Sequence, residues 1–157
     1  MAKSKANKKK ARISQESAPS SSLYAVDITK SAEDVYTELR RKSQEAEAHG
    51  DPGNMHCTTF AMVQDVIKRV IPNDPLNKQY ALRGQLSNLF RIRKGRMRIC
   101  WIASSRLRRV CILFISQTPR KEGDANDPYV LLQNLVDAGT FDSIFSKFGM
   151  RMERLRK

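Results

Sequence analysis

Five cations fall within eight residues of the run FRIRKGRMRI: Arg91, Arg93, Lys94, Arg96 and Arg98. A guanidinium stays charged at every physiological pH and offers a planar fork of N–H donors that matches two phosphate oxygens. In extended backbone successive side chains alternate faces, so Arg91 and Arg93 point together, with Phe90 and Ile92 opposite them. By the same rule Arg96 and Arg98 share a side, with Met97, Ile99 and Trp101 on the other. Lys94-Gly95 reads as a tight hairpin turn in which glycine supplies a positive φ. Four arginines then converge on one end of one sheet face, and Arg109 and Arg120, at the two ends of the following strand, border the same patch. Guanidinium groups clustered without carboxylates repel one another, and a polyanionic ligand is the natural compensation. The competing reading is a solvated sheet face in which arginine is chosen for its packing stem. Its usual companion, interleaved glutamate, is absent from this run.

Such side chains need strands to hold them. The pattern predicts strands over 89–93, 96–103 and 108–116, the last containing VCILFIS, which is apolar on both faces and therefore reads as a central strand. Upstream, LYAVDIT (23–29) is a short β-rich run in which Tyr24, Val26 and Ile28 alternate with smaller or polar residues. Ser31, with Asp34 three residues later, reads as an N-cap. The helix it opens, over 32–48, carries Val35, Tyr36 and Leu39 on one face and Glu38, Arg40, Arg41, Glu45 and Glu47 on the other. A second helix over 58–70 buries Phe60, Met62, Val63, Val66, Ile67 and Val70. Asn126-Asp127-Pro128 opens a third with Val130, Leu131, Leu132, Leu135 and Val136 inside, and a short amphipathic piece covers 141–148. Trp101 shares its side with Ile99, away from the arginines, so core packing is preferred over base stacking. Asp127 and Asp142 read as helix-start residues rather than metal ligands. The expected fold class is α+β: a small antiparallel sheet of about four strands packed on two N-terminal helices, with a C-terminal helix.

The chain has 157 residues and a formal net charge of +13, which points to a polyanionic or acidic partner. Between Asp74 and Glu122 about a dozen basic side chains occur and no acidic one. Six of the first twelve residues are Lys or Arg, and residues 1–22 read as a disordered basic tail. Residues 23–149 form the expected domain and 150–157 a second basic tail. No run approaches the roughly 20 apolar residues of a membrane helix, and the lysine-rich start has no apolar stretch of a secretory signal. A cytoplasmic protein without membrane association is expected. The cysteines, Cys57, Cys100 and Cys111, are odd in number and form no disulfide framework; Cys100 and Cys111 read as small buried hydrophobes. Neither a Cys-x-x-Cys nor a His-x-x-x-His spacing occurs, so no metal site is expected.

The run LYAVDITKSAEDVYTELR resembles the opening strand and helix of RelE/ParE-superfamily toxins. LFRIRKGRMRICWIASSRLRRVCILFISQTPRKE resembles their hairpin and central strand, and DPYVLLQNLVDAG is closer to the mRNA-cleaving branches, YhaV-like ones included, than to the gyrase-poisoning ParE branch. The resemblance implies a type II toxin with a microbial-ribonuclease-like fold, an mRNA interferase that needs no metal or organic cofactor. Its implied partners are a cognate antitoxin, lying over the basic face, and mRNA, on or off the ribosome. Carried over by position, Arg91 and Arg93 match the basic pair before the hairpin. Arg98 matches the arginine that stabilises the transition-state phosphate, Arg120 a second phosphate contact, and Tyr129 the C-terminal tyrosine that stacks on a base or assists proton transfer, after an insertion at 123–126. Arginine cannot serve as a free base at neutral pH, and His49 and His56 lie far back in the sequence. Lys94, Lys121 or Tyr129 would therefore move the protons, or the enzyme works mainly by bending RNA into line, with Lys94, Arg96 and Arg109 joining Arg91 and Arg93 in RNA binding. Two alternatives remain open: a non-catalytic adaptor that binds nucleic acid, and a gyrase-inhibiting ParE-like toxin.

Overall fold

The computed structural model describes residues 23–86, 88–117 and 128–150, and of Gln85, Gln117, Pro128 and Tyr129 the backbone only. The basic leader 1–22, Arg120 and Lys121, the insertion 123–126, the expected cap Asn126-Asp127 and the tail from 151 lie outside the described residues.

Strand β1 (Ala25–Ile28) leads into helix α1 (Lys30–Ala48). The cap of α1 is Thr29, two residues earlier than Ser31: its Oγ1 accepts from the Ala32 amide at 3.1 Å while its hydroxyl donates to the Leu113 carbonyl at 3.0 Å. One side chain thus closes the helix end and ties it to a neighbouring strand, a link that Ser31, exposed in the first turn, does not make. Ala32 is buried, with Val35, Tyr36 and Leu39 packed against the same core. On the wet face Arg41 bridges Glu38 and Glu45 at 2.7 and 2.9 Å. Helix α2 starts at Met55, three residues before the expected Thr58, because the Asn54 side chain accepts from the His56 amide at 2.8 Å. It runs as Met55–Asp65, widens to a π-helical turn over Val66–Val70 and closes with Ile71–Asn73. The wide turn suits Pro72, which has no N–H to give and whose ring would crowd the carbonyl four residues back. The Ile71 amide accordingly donates to Val66 O, five residues back, and the Pro72 carbonyl accepts from the Tyr24 amide at 3.0 Å.

The sheet order is β1-β4-β3-β2, with β2 at Phe90–Lys94, β3 at Met97–Ser104 and β4 at Arg109–Gln117. The β2–β3–β4 pairs are antiparallel as expected, but β1 joins β4 in parallel, so the sheet is mixed. Both helices separate β1 from the rest of the sheet, and a parallel neighbour requires such a long crossover; period-two patterning carries no information on direction. Pairing slips between Cys100 opposite Phe114 and Trp101 opposite Ile112, leaving Leu113 as the extra residue of a bulge in β4.

Both faces of β3 and β4 are covered. Ile99, Trp101, Val110 and Ile112 join Val63, Ile67 and Ile71 in one core, under α1 and α2. Cys100, Ile102, Cys111 and Leu113 join Leu132, Val136, Phe141 and Phe145 in a second, under α3 (Pro128–Asp137) and α4 (Asp142–Lys147). Trp101 is 0% exposed. Its Nε1 donates to the Pro75 carbonyl at 2.9 Å, with Phe90 stacked at 6.0 Å and Tyr80 edge-on at 5.7 Å. The core assignment for this ring holds.

Replacing Thr29 with the near-isosteric valine removes the cap and leaves the Leu113 carbonyl without its donor. The expected loss is about 1–2 kcal/mol of unfolding free energy, read as a lower urea midpoint with unchanged slope. A midpoint equal to wild type would refute the strand tie.

Candidate nucleic-acid interface

The β2–β3 hairpin closes through Gly95-Arg96, one residue later than expected, with Lys94 paired to Met97. Gly95 has φ +57, and Arg96 is not among the residues with positive φ. Glycine at the first of two loop positions is the pattern of a type II′ hairpin, whose twist suits antiparallel strands. Arg96 is therefore a loop residue, exposed at the tip, and not the first residue of β3.

Arg93 lies directly opposite Arg98, Arg91 opposite Cys100, and Arg98 opposite Ser116 on the far side. Directly paired residues share a face, so Arg91, Arg93, Arg98 and Ser116 form one surface, with Phe90, Ile92, Met97 and Ile99 behind it in the α1–α2 core. The alternation read from the sequence is observed. Two like charges directly across a ladder oppose folding by something on the order of 1 kcal/mol. The four arginines are not equally wet, however. Arg93 and Arg96 are exposed, Arg91 is half-buried, and Arg98 is only 8% exposed. Its Nη1 donates to the carbonyls of Gly95 and Met97 at 3.3 and 3.2 Å, folding the guanidinium back over the turn. Beside it the Cys100 thiol is pushed up to about 12 by burial, against the smaller opposing pull of Arg91 and Arg98. Cys100 is thus a protonated packing group and no nucleophile at neutral pH.

Two of the expected members sit elsewhere. Lys94 follows the even-numbered side of β2 with Phe90 and Ile92, and its charge is felt by Asp65 of α2. Arg109 begins β4 opposite Ser104, whereas Ser116 faces Arg98; the seven-residue interval spans about 23 Å of strand. There Arg109 forks onto Asp27, Nε to Oδ2 at 3.1 Å and Nη2 to Oδ1 at 3.0 Å, joining β4 to β1. It is a structural ion pair at the opposite end of the sheet. Arg120 and Lys121 lie outside the described residues, as does the Tyr129 side chain at the start of α3. Gln117, the end of β4, is opposite Met97, so the chain leaves the sheet at the hairpin end, three residues before Arg120 in sequence.

Ser116 is the residue that sequence reasoning passed over. Its only signal was a hydroxyl closing an apolar strand. No cluster of three or more His, Cys, Asp or Glu able to hold a metal occurs among the described residues, and no described helix is long and apolar enough to cross a membrane. What the face can do is present guanidinium forks to phosphates from one pre-fixed position, Arg98, and from more adaptable ones around it.

The YhaV toxin family, described as a toxin with endonuclease activity of a toxin–antitoxin system, has a model that matches residues 23–152. No curated protein matches the chain. Among solved structures, the RelBE2 toxin–antitoxin complex of Mycobacterium tuberculosis is similar at 20% identity and TM-score 0.45, over 60% of this chain and 91% of that one. The isolated RelE toxin of E. coli is similar at 15% identity and TM-score 0.47, over 63% and 88%.

The Arg109 hydrogen bonds hold the Asp27 carboxyl below its ordinary value of 3.8, burial opposing them. A carboxyl depressed in the folded state stabilises fully above its unfolded pKa, and that contribution is lost as the pH falls through the lower folded value. With side chains 42% and 37% exposed, solvent screening keeps the effect below about 1 kcal/mol. Urea titrations of wild type and Asp27→Asn from pH 6 to pH 2.5 should show wild type losing more stability below about pH 4. Parallel curves would remove Asp27 from the acid response.

Proposed function

The chain belongs to the YhaV family, toxins with endonuclease activity from toxin–antitoxin systems, and on that footing we propose that its substrate is RNA, cut at the Arg91–Arg93–Arg98 end of the sheet. RNA carries its own nucleophile, the 2′-OH, so the protein need only position the backbone in line, stabilise charge added to the phosphate, and move two protons. The observation that carries the reading is the Arg93–Arg98 cross-strand pair with Arg91 on the same face. It gathers guanidinium forks on one face, where they can grip successive phosphates.

The roles divide by burial. Arg98 is the charge assigned to the developing phosphorane; two backbone carbonyls hold it, and fixed charge lowers a barrier by sparing reorganisation. Arg91, Arg93 and the loop residue Arg96 grip the neighbouring phosphates, and Ser116 offers a hydroxyl beside Arg98. Arg120, close in sequence to the end of β4, supplies a second charge to the scissile phosphate, while Lys121 and Tyr129 serve proton transfer or base stacking. Messenger RNA in the cytoplasm, on or off the ribosome, is the substrate this chemistry suits. The antitoxin is the partner that the family supplies.

The decisive assay uses a single-stranded RNA oligonucleotide and its copy with one 2′-deoxy sugar at the cut site. The native RNA should be cleaved and the deoxy copy should resist there. Arg98→Ala and Arg98→Lys should each slow cleavage about 100-fold or more, roughly 2.7 kcal/mol of transition-state stabilisation. The lysine variant keeps the charge but not the fork and controls for folding. Arg91→Ala and Arg93→Ala should weaken binding and each lower the salt slope by about one. Equal cutting of the deoxy copy, or full activity of both Arg98 variants in folded protein, would reject the site.

A further inference from the structure

The turn between β3 and β4 carries a basic cluster that the cutting site does not use. It reads Ser104-Ser105-Arg106-Leu107-Arg108-Arg109, and Arg106 and Arg108 are exposed. Ser104 Oγ accepts from the Leu107 amide at 3.1 Å and shapes the turn. Arg108 has φ +56, the one non-glycine residue with a positive φ among those described. Glycine is the default for that conformation, and arginine is strained in it. The backbone is held there nonetheless: the Arg108 carbonyl accepts from the Ala25 amide of β1 at 3.0 Å. Its guanidinium carbon lies 4.4 Å from the centroid of the Tyr24 ring, one residue before Ala25. Strain accepted for a side chain pinned on an aromatic face marks a position kept for that side chain. The local charges are unbalanced as well. Asp27, the acid of β1, is taken by Arg109. Asp74, just past the Pro72 carbonyl that receives the Tyr24 amide, accepts from Asn77 Nδ2 at 2.9 Å. Lys147 of α4 is near enough to act on the Asp27 carboxyl and adds a further cation.

We propose that Arg106 and Arg108, with Tyr24 as platform, form a second RNA site that holds a segment other than the one being cut. Arginine forks take phosphate oxygens, and a guanidinium plane backed by an aromatic ring is a surface on which a base stacks. An acidic protein offers carboxylates but no bases, so the stacked pair favours RNA. Tyr24 packs on the α1–α2 side, whereas Arg91, Arg93 and Arg98 share the other face near the hairpin. The seven-residue interval from Arg109 to Ser116 keeps the two sites about 23 Å apart along β4. Occupying one leaves the other open, and toxin anchored here stays on an RNA while the hairpin end engages and releases. The ligand class rests on the RNA reading; the location does not.

The test titrates full-length toxin by calorimetry at low salt with an RNA of about six nucleotides, 2′-O-methylated throughout so that it cannot be cut. Wild type should take two strands per toxin. Arg106→Glu combined with Arg108→Glu should take one, while the unmodified RNA is still cleaved at the wild-type rate. Arg108→Gly, whose backbone suits the positive φ, should weaken the second site about tenfold without lowering the thermal midpoint. A strand of about 16 nucleotides separates the two sources of RNA. If it binds wild type more tightly than the short strand, and the double variant no more tightly, the substrate's own flank is the ligand; equal binding by wild type assigns a separate RNA. A single strand on wild type, or two on the double variant, overturns the proposal. So does loss of the second strand in Arg40→Glu with Lys42→Glu on α1, because net charge and not a site is then responsible. Reversals that spare RNA and weaken only an acidic protein overturn it too. A toxin that takes two strands and cuts no RNA removes the hairpin-end reading alone, and one that cuts through Arg98 but takes one strand removes this inference alone.

Discussion

Burial of β3 and β4 on both faces is the constraint from which the rest of the structure follows. Ile99, Trp101 and Ile112 commit one face to α1 and α2, while Cys100, Ile102 and Leu113 commit the other to α3 and α4. Neither strand can slip by one residue, because every side chain would exchange one apolar core for the other and the ladder's polar end would be drawn inside. The bulge at Leu113 fits the same constraint. It lets Leu113 and Phe114 both reach the C-terminal helices while Ile112 and Ile115 remain in the first core. Burial on this scale is worth tens of kcal/mol before chain entropy is subtracted. A locally unfavourable hairpin is tolerated against that background.

That hairpin is unfavourable on two counts. Arg93 and Arg98 face each other with the same sign, and Arg98 is almost fully withdrawn from water. A buried guanidinium is costly unless its N–H groups find acceptors, and the carbonyls of Gly95 and Met97 are part of the answer. They are available because Gly95 adopts a positive φ and the turn folds tightly over the side chain. Glycine, turn and arginine therefore form one unit. A charged side chain withdrawn from water between packed strands is a costly arrangement, and its chemical character, charge with a fixed fork, suits anions.

Much of this was legible in the residues. The unbroken apolar run VCILFIS marked β4 as central, and the alternation of FRIRK and MRICW put the arginines on one face and Trp101 on the other. What escaped depended on distance in sequence or on coverage by other elements. Arg109 looked like part of the patch because it is basic and begins a strand; its partner Asp27 is 82 residues away. Arg98 looked exposed because β3 read alone gives no sign that the C-terminal half covers its second face. The parallel direction of β1 leaves no trace in periodicity, and the cap at Thr29 was hidden by a better-looking Ser31 with Asp34 behind it. Lys94 was assigned by proximity to the turn, although strict alternation already put it on the Phe90 side.

Charge decides how the two ends of the sheet divide their work. Sequence from Asp74 to Glu122 offers about a dozen cations and no anion, so neutralisation has to come from other segments of the chain or from another molecule. At the β1 end it comes from within, through Asp27 and Arg109, and the result is rigid and structural. At the hairpin end Arg93 and Arg96 stand exposed, with Arg91 half-buried and Arg98 buried beside them. An internal carboxylate placed against Arg93 would stabilise the fold and compete with every phosphate that arrived.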